Sequence, residues 1–334
     1  METGRNSRVL VVGGGSWATA LIKILSQKEI SLSWWMRDKN AIQHLKEHAH
    51  HPKYLQSATF ETSKIDISTD LEGLISHADT IIIAVPSAFV DKTFQNIDKI
   101  LFENKTIFSA LKGMIPEMKA IPARYFHKKY NVPYENIGII CGPCHAEEVA
   151  MERLSYLTIA CTDVEKAQKM SETLACRYIK TSVSDDLFGT EFSAILKNIY
   201  ALATGICAGL GYGDNFQAVL ISNSIREIEV FIDSIHPLHR DTKTSAYLGD
   251  LLVTAYSKFS RNRTFGFMIG KGYSVNAAQL EMNMVAEGYY AVRSLHDIRK
   301  EFKVEMPILE CVYDILYEHK DPKQEINLLT EKLD

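Results

Sequence analysis

The apolar residues in the first half of the chain fall into short, nearly continuous runs separated by longer segments with helical periodicity. Such runs are typical of buried strands, and their alternation with helices is typical of a parallel sheet covered on both faces. The pattern predicts an α/β Rossmann-type domain with a mostly parallel sheet. The predicted strands span residues 9–12, 30–37, 80–85, 106–111, 136–140, 156–161 and 178–183.

The pattern changes near residues 184–189, and from residue 190 helical periodicity dominates, broken by glycine-rich turns. A chain of 334 residues is long enough for two domains, each with its own core. We therefore predict a dinucleotide-binding Rossmann-like domain over residues 1–189. An all-α substrate-binding and catalytic domain is predicted over residues 190–334.

Three glycines, Gly13, Gly14 and Gly15, lie between the first predicted strand and a predicted helix that begins near Trp17. In a dinucleotide-binding loop the first glycine allows the turn off the strand, and Gly15 would let the backbone approach a pyrophosphate. Ala18 takes the third position of that fingerprint, where a small residue lets helix and strand pack closely. The loop predicts a bound dinucleotide, the alternative being an ordinary turn.

The end of the second predicted strand bears on which dinucleotide is bound. An acidic residue there holds a ribose 2′-hydroxyl, whereas an arginine accommodates a 2′-phosphate. Arg37 comes first and Asp38 follows it. NAD(P) is therefore the predicted cofactor, with NADP weakly favoured over NAD, although Asp38 could equally be the N-cap of a helix over residues 39–48.

Glycine, proline or basic residues follow the predicted parallel strands at equivalent positions. Ligands bind such sheets beyond the carboxyl ends of the strands. We therefore expect Gly15, Arg37, Pro86, Lys112 and Gly142 to surround one crevice.

Two clusters invite other chemistry. His44, His48, His50 and His51 suggest a metal site, but they lack an ordered set of partners, and solvated histidines are the favoured interpretation. The segment Cys141-Gly-Pro-Cys144 could be a redox pair at a helix N-terminus, but a turn into the following helix is favoured. We predict no metal site.

In the second half, residues 191–207 form a predicted helix with a broad apolar stripe, and Lys197 lies among small neighbours on it. Burial disfavours an ammonium group and lowers a lysine pKa towards the range useful for proton transfer. A structural lysine paired with a carboxylate, such as Asp250 or Glu191, is an equally supported alternative.

Two later segments add candidate residues for binding a ligand. Asp250 lies in an apolar run over residues 247–256, which suggests a paired carboxylate. The run 260–263 combines hydroxyl, guanidinium and amide donors, which suit a phosphate. Taken alone, such a run is more often a solvated loop.

Composition narrows the class of protein. The chain is 46% hydrophobic and 23% charged, and its net charge of -4 argues against a general nucleic-acid binder. Six scattered cysteines fit a reducing compartment. Residues 1–7 lack the apolar core of a signal peptide. No apolar run approaches the roughly 20 residues that span a bilayer. We expect a cytoplasmic protein with a small-molecule partner, no nucleic acid and no membrane insertion, a homodimer being an open option.

Together these segments resemble the NAD(P)-dependent sn-glycerol-3-phosphate dehydrogenases of the bacterial type. The resemblance covers nearly the whole chain. It rests on the motifs GGGSWATA (13–20), AVPS (84–87), LKG (111–113), CGPCHAEEV (141–149), LKNI (196–199), GLGYGDN (209–215), LGDL (248–251), SRNR (260–263) and AEG (286–288).

The resemblance implies reversible reduction of dihydroxyacetone phosphate by NAD(P)H to sn-glycerol 3-phosphate, which supplies phospholipid synthesis. It implies that Lys197 is the proton donor and acceptor. Lys112 would orient the carbonyl, and Arg261 with Asn262 would hold the phosphate. Asp250 would orient Lys197 or a substrate hydroxyl.

The residues that this resemblance assigns to ligands come from both halves of the chain. The glycine loop itself gives Gly13 and Gly15 as cofactor contacts. The resemblance adds Ser16, Trp17, Arg37, Tyr54, Lys112, Ala146, Arg261, Val285 and Glu287. The substrate contacts are Lys112, Gly142, Cys144, Lys197, Asp250, Ser260, Arg261 and Asn262.

The chain departs from the family pattern at several positions. Cys141 and Cys144 stand where that pattern has Ser and Ser or Thr, so weaker thiol donors replace hydroxyls. Tyr247 stands where a glycine is usual, and Ala18 replaces the third glycine of the loop. Other hypotheses are a dehydrogenase of another phosphorylated or carboxylated hydroxy acid, a cofactor-binding sensor without catalysis, and a thiol–disulfide enzyme.

Overall fold

The computed structural model describes residues 7–282 and 286–334, which divide into two compact units. The first unit takes in the chain up to Leu111 and the segment Pro122–Leu187, and the second takes in Lys112–Ile121 and Phe188–Asp334. Lys112–Ile121 thus groups with the helical unit. A single boundary near residue 190 would place this segment in the first domain instead. The division into domains 1–189 and 190–334 therefore stays a prediction, to be refined at this segment.

The first unit is built on an eight-stranded sheet. Its strands are β1 (Arg8–Val12), β2 (Ser31–Trp35), β3 (Ile65–Ser68), β4 (Thr80–Ile83), β5 (Thr106–Ser109), β6 (Ile137–Cys141), β7 (Ser155–Cys161) and β8 (Ile179–Ser184). Their order in the sheet is β3-β2-β1-β4-β5-β6-β7-β8, and neighbouring strands are parallel except for β6 and β7. The predicted Rossmann-type fold with a mostly parallel sheet is confirmed.

Helices follow these strands in the way that a parallel sheet requires. They are α1 (Ser16–Leu25), α2 (Lys39–His48), α3 (Leu71–His77), α4 (Val90–Phe94), α5 (Pro122–Tyr130), α6 (Ala146–Ala150) and α7 (Val164–Leu174). β1 lies between β2 and β4, so the strand order reverses beside it. The carboxyl end of a strand at such a reversal is where open parallel sheets bind ligands.

The sequence pattern missed strand β3. Only Ile65 and Ile67 are buried in this strand, and polar residues alternate with them. β3 is an edge strand beside β2, and a strand that is covered less completely does not need the continuous apolar run of a central parallel strand.

The second unit is helical, as predicted for this half of the chain. Its helices are α8 (Leu187–Leu210), α9 (Asp214–Ile235), α10 (Asp250–Tyr256), α11 (Arg261–Gly270), α12 (Val275–Glu281), α13 (Glu287–Glu301), α14 (Pro307–Leu316) and α15 (Pro322–Thr330). A single π-helical turn, Ser245–Gly249, leads directly into α10.

Helix α8 corrects one expectation about apolar length. Its 24 residues meet the length and composition of a membrane span, although no apolar run of that length was expected from the sequence. In the structure, 89% of its most apolar stretch is buried inside the protein. The apolar surface of α8 is therefore used in packing inside the protein.

Glycines bring the backbones of α8 and α11 into direct contact. A Cβ added to Gly205 on α8 would lie 2.2 Å from the carbonyl oxygen of Arg263, and one added to Gly266 on α11 would lie 2.2 Å from that of Leu202. Gly209 and Gly270 continue the same contact along the two helices. Since α8 carries Lys197 and α11 begins at Arg261, this contact fixes the start of α11 relative to the lysine.

Replacing Gly205 with Ala tests this contact. The added methyl group would force the helices apart, and overpacking of this kind lowers the free energy of unfolding by about 1–3 kcal/mol. Urea denaturation should show the transition at a lower urea concentration than in the wild type. Gly213→Ser is the control, because Gly213 is the N-cap of α9 with no atom near its Cβ position and serine is favoured at N-caps. Equal midpoints for Gly205→Ala and wild type would contradict close packing here.

Candidate active site

The glycine loop after β1 has the geometry of a phosphate cradle. Gly13 has a φ of +146°, and a Cβ there would lie 2.6 Å from the carbonyl oxygen of Ala84, so only glycine fits. Gly15 is the N-cap of α1, makes no side-chain cap, and has no atom within 4 Å of its Cβ position. The first turn of a helix offers N–H groups without intrahelical acceptors and the positive end of the helix dipole. The open side of Gly15 therefore fits a pyrophosphate at the start of α1, where Ser16 and Trp17 are the first helical residues.

Strand β2 holds this loop through one buried side chain and one backbone hydrogen bond. The indole Nε1 of Trp34 on β2 donates to the carbonyl oxygen of Gly13 at 2.6 Å, and the ring is fully buried. The N–H of Gly13 in turn donates to the carbonyl of Trp35 at 3.0 Å. The backbone of Gly13 is thus fixed by β2 as well as by its own strand.

The histidines require a correction. His51 is not a solvated histidine: it is 2% exposed, and its Nδ1 accepts hydrogen bonds from two backbone N–H groups. Its burial follows from packing against Trp34, an environment that the local sequence does not reveal. The rings of His44, His48 and His50 lie beside one another. Within residues 7–282 and 286–334, no group of three His, Cys, Asp or Glu side chains is arranged to hold a metal ion.

Two roles were left open for Asp38, a contact to the ribose 2′-hydroxyl and the N-cap of a helix. In the structure Asp38 is the N-cap of α2. Its carboxylate accepts from the N–H groups of Asn40 at 2.9 Å and Ala41 at 3.2 Å. Those bonds stabilise the start of α2. Arg37, just beyond β2, is exposed and makes no ion pair with the residues that the structure describes.

The other candidate ligand residues of the first unit lie in turns and helix starts. Gly142 follows β6 with a φ of +115°, and a Cβ there would lie 2.8 Å from the carbonyl oxygen of Tyr156. Cys144 and Ala146, which begins α6, are both buried. Tyr54 is half-buried, and its N–H donates to His51. The backbone explains the glycine at position 142 without any ligand.

A cluster of two lysines and one aspartate lies in the second unit, where Lys197 and Asp250 are buried and Lys112 is half-buried. Lys197 on α8 is 2% exposed, and its ammonium group forms an ion pair with Oδ1 of Asp250, the first residue of α10. The Nζ of Lys112 lies 3.8 Å from the same oxygen. Of the carboxylates proposed to pair with Lys197, the structure selects Asp250.

Burial controls the protonation of Lys197. Desolvation is the main cause that lowers the pKa of Lys197 below its ordinary value, and the neighbouring Lys112 lowers it further. Asp250 acts in the opposite direction and raises that pKa. Because desolvation dominates, the amine can gain and lose a proton closer to neutral pH than an exposed lysine.

The second carboxylate oxygen of Asp250 is available to a ligand. Oδ2 is buried and has no hydrogen-bond partner among the described residues. A buried carboxylate oxygen without a donor costs stability, and a hydroxyl group of a bound molecule can supply that donor.

Sequence reasoning missed Asn198 and Thr254, two polar residues of this cluster. The amide nitrogen of Asn198 donates to the carbonyl oxygen of Lys112 at 2.6 Å, which fixes the backbone that carries Lys112. Thr254, one turn after Asp250, donates to the Asp250 carbonyl at 2.6 Å. The position of Asn198 beside Lys197 was a usable signal, but its bond to residue 112 is not encoded in sequence spacing.

The SRNR segment contributes to the start of two helices. Ser260 is the N-cap of α11, and its hydroxyl oxygen accepts from the N–H of Arg263 at 3.3 Å. Oδ1 of Asn262 accepts from the N–H of Gly288 at 2.9 Å, close to Glu287, which begins α13. Arg261 is half-buried and lines a cavity of about 280 Å³. The predicted contact Val285 lies outside the described residues.

Two family profiles and full-length relatives match this chain. Profiles described as the N-terminus and the C-terminus of NAD-dependent glycerol-3-phosphate dehydrogenase match residues 8–167 and 186–327. Glycerol-3-phosphate dehydrogenase (NAD(P)+) of Staphylococcus carnosus (strain TM300) is 31% identical over 324 residues, 97% of each chain. The chain belongs to the NAD-dependent glycerol-3-phosphate dehydrogenase family.

Other members of the glycerol-3-phosphate dehydrogenase family agree along the whole chain. The protein of that name from Macrococcus caseolyticus (strain JCSC5402) is 32% identical over 326 residues, covering 97% of this chain and 98% of its own. The crystal structure of glycerol-3-phosphate dehydrogenase from Coxiella burnetii matches with a TM-score of 0.90 at 27% identity, over 98% of this chain and 99% of that one. The resemblance stated from the motifs is confirmed.

The buried ion pair predicts a specific pattern of stability. Lys197→Met keeps the length of the side chain but removes the nearest cation from the buried carboxylate of Asp250. We expect the free energy of unfolding to fall by about 3 kcal/mol, the lower end of the range for breaking a buried pair, because Lys112 remains nearby. Urea denaturation of the protein without ligands measures it.

The double variant Lys197→Met, Asp250→Asn is the matched control. It removes both charges, so it should recover most of the stability that the single variant loses. An equal loss in the single and double variants would show that the charges of Lys197 and Asp250 are not coupled.

Proposed function

We propose that this chain reduces dihydroxyacetone phosphate to sn-glycerol 3-phosphate with NADPH, and catalyses the reverse reaction. The observation that carries the proposal is the buried Lys197 amine, whose pKa is lowered by burial and which is held by Asp250 beside Lys112. The relatives named above supply the reaction, since they are called glycerol-3-phosphate dehydrogenases.

Lys197 has the properties of the group that exchanges a proton with the substrate oxygen. When bound, NAD(P)H supplies the two electrons and the hydrogen that reduce the ketone carbon. The ketone oxygen then needs a proton and a nearby positive charge, and a protonated Lys197 supplies both. In the reverse direction the neutral amine takes the proton from the alcohol.

The neighbours of Lys197 suit the other polar groups of this substrate. Lys112 adds a second cation for the substrate oxygen, and Asn198 holds its backbone. Oδ2 of Asp250 can accept a hydrogen bond from a substrate hydroxyl. Arg261 and the amide nitrogen of Asn262 are donors for the phosphate, because Oδ1 of Asn262 is already occupied by Gly288.

The glycine loop and Arg37 are the residues proposed to bind the cofactor in the first unit. The open side of Gly15 suits the pyrophosphate, and Asp38 is committed to its helix cap. With no free acidic group at the end of β2, the exposed Arg37 supports a preference for the 2′-phosphate of NADP over the 2′-hydroxyl of NAD.

Other readings of the sequence have less support. A thiol–disulfide enzyme needs an accessible thiolate, whereas Cys141 and Cys144 are both buried. A sensor without catalysis would have no use for two lysines, one of them buried, around one aspartate. We further propose a cytoplasmic protein without membrane insertion, which the burial of α8 supports; the homodimer stays an open option.

Lys197→Met tests the proposed proton donor. We expect turnover of dihydroxyacetone phosphate to fall about 10²–10⁴-fold, the usual contribution of general acid catalysis, while NADPH still binds with the wild-type dissociation constant. NADPH consumption measured by absorbance gives turnover, and fluorescence titration gives binding. Lys180→Met on β8, an exposed lysine, is the control. Turnover retained in Lys197→Met would remove this residue from the mechanism.

The same lysine predicts opposite pH profiles for the two directions. Reduction needs protonated Lys197, so its kcat/KM should fall as pH rises through the lowered pKa of this residue. Oxidation needs the neutral amine, so its kcat/KM should rise over the same range. Profiles that turn only near the ordinary lysine pKa of 10.5 would contradict a lowered pKa.

Arg37→Ala tests the cofactor preference. Loss of charge-assisted hydrogen bonds to a 2′-phosphate should lower kcat/KM with NADPH by about 10- to 100-fold, and the value with NADH should stay near wild type. Asp38→Asn is the control, since asparagine caps helices as well as aspartate does. Equal losses with both cofactors in Arg37→Ala would contradict a role in preference.

A further inference from the structure

His51 is buried in an otherwise open segment. Its side chain is 2% exposed, whereas Lys53 is exposed and Tyr54 is half-buried. The segment follows α2, which ends at His48. No part of the mechanism above uses this imidazole, and burying one at this place needs a reason.

One ring nitrogen of His51 binds two backbone groups. Nδ1 accepts from the N–H groups of Lys53 and Tyr54, each at 3.1 Å. A ring nitrogen that accepts carries no proton, so this bonding pattern places the proton on Nε2. The backbone of Gly14 interacts with the imidazole and raises the pKa of His51, in opposition to burial.

The ring also packs against the aromatic residues of the loop. Its centroid lies 6.3 Å from that of Trp34 and 5.1 Å from that of Tyr54. Since Trp34 binds the carbonyl of Gly13, the His51 ring supports the glycine loop through its contact with Trp34. His51 therefore connects the support of that loop to the backbone of Tyr54.

We propose that His51 is a positioning residue for the cofactor site, which holds the glycine loop and the backbone of Tyr54 in one fixed arrangement. The inference rests on the proposed binding of the cofactor at this loop. His51 itself does not touch the cofactor; it removes the need to order the loop and the Tyr54 segment when the cofactor binds.

The arrangement depends on a neutral ring. Burial is the main cause that lowers the pKa of His51 to about 4, with Lys53 and His44 acting in the same direction and Asp38 opposing them. At neutral pH the acceptor at Nδ1 is therefore present. A protonated imidazole has no acceptor and would lose both bonds from the segment.

Three substitutions separate the roles of the side chain. His51→Asn keeps an acceptor oxygen near the place of Nδ1 but loses the ring that packs against Trp34. His51→Gln carries its amide near the place of Nε2 and has no acceptor at the place of Nδ1. His51→Phe keeps a ring but has no hydrogen-bonding atom. His48→Phe, an exposed histidine at the end of α2, is the matched control.

Fluorescence titration of NADPH on the full-length chain is the primary measurement. His51→Phe and His51→Gln should raise the NADPH dissociation constant about tenfold, the effect of losing hydrogen bonds of ordinary strength. The NADPH dissociation constant of His51→Asn, which keeps the acceptor but loses the ring, should lie between those of wild type and His51→Phe, and that of His48→Phe should stay within about threefold of wild type. At saturating NADPH, kcat and the KM for dihydroxyacetone phosphate should remain near wild type in all four variants.

Each outcome decides a different point. Wild-type NADPH affinity in His51→Phe, with only a lower melting temperature, would overturn the inference and leave His51 a structural residue. Equal losses in His51→Asn and His51→Gln would overturn the role of the Nδ1 acceptor, and this comparison stands even if His51→Phe does not fold. Failure of the wild type to bind NADPH would instead refute the proposed function, and with it the inference.

Discussion

The candidate chemistry depends on one buried interaction, the ion pair of Lys197 with Asp250. An ammonium group and a carboxylate leave water at a cost that their attraction offsets only when geometry and further hydrogen bonds are favourable. Here Oδ1 of Asp250 faces two lysines, while Oδ2 has no partner in the described part of the chain. The pair therefore holds a cation in place and leaves an acceptor open beside it. That combination suits a substrate carrying a carbonyl next to a hydroxyl, and it is a costly arrangement for a residue whose only role is structural.

The rest of the helical unit keeps this pair in position through backbone contacts. Gly205 and Gly266 let α8 and α11 approach until their backbones touch, which sets the start of α11 against the lysine helix. Asn198 binds the carbonyl of Lys112, and Asn262 binds the N–H of Gly288. Each contact ties a candidate ligand residue to a neighbouring backbone group, so small changes in packing would be transmitted directly to the charged groups.

The fold and many of the candidate residues were predictable because they are encoded locally. The glycines of the loop, the apolar strands and the helix around Lys197 all leave patterns within some twenty residues, and the N-cap role of Asp38 was one of two roles foreseen for it. What escaped prediction depends on distant packing. β3 has too few apolar residues to be recognised, and β7 gives no local sign of its antiparallel direction. The grouping of Lys112–Ile121 with the helical unit and the burial of His51 follow from tertiary contacts that short spacings cannot express.

The two units use the same device to prepare a binding surface. In each, a buried side chain forms hydrogen bonds with the backbone of a candidate ligand residue: Trp34 with Gly13, His51 with Tyr54, and Asn198 with Lys112. A backbone fixed in this way does not have to be ordered when the ligand arrives, so more of the contact energy is left for binding. The polar side chains that support a site are therefore as much a part of its chemistry as those that face the ligand. A motif search does not find them, because their partners are backbone groups, which every residue type has.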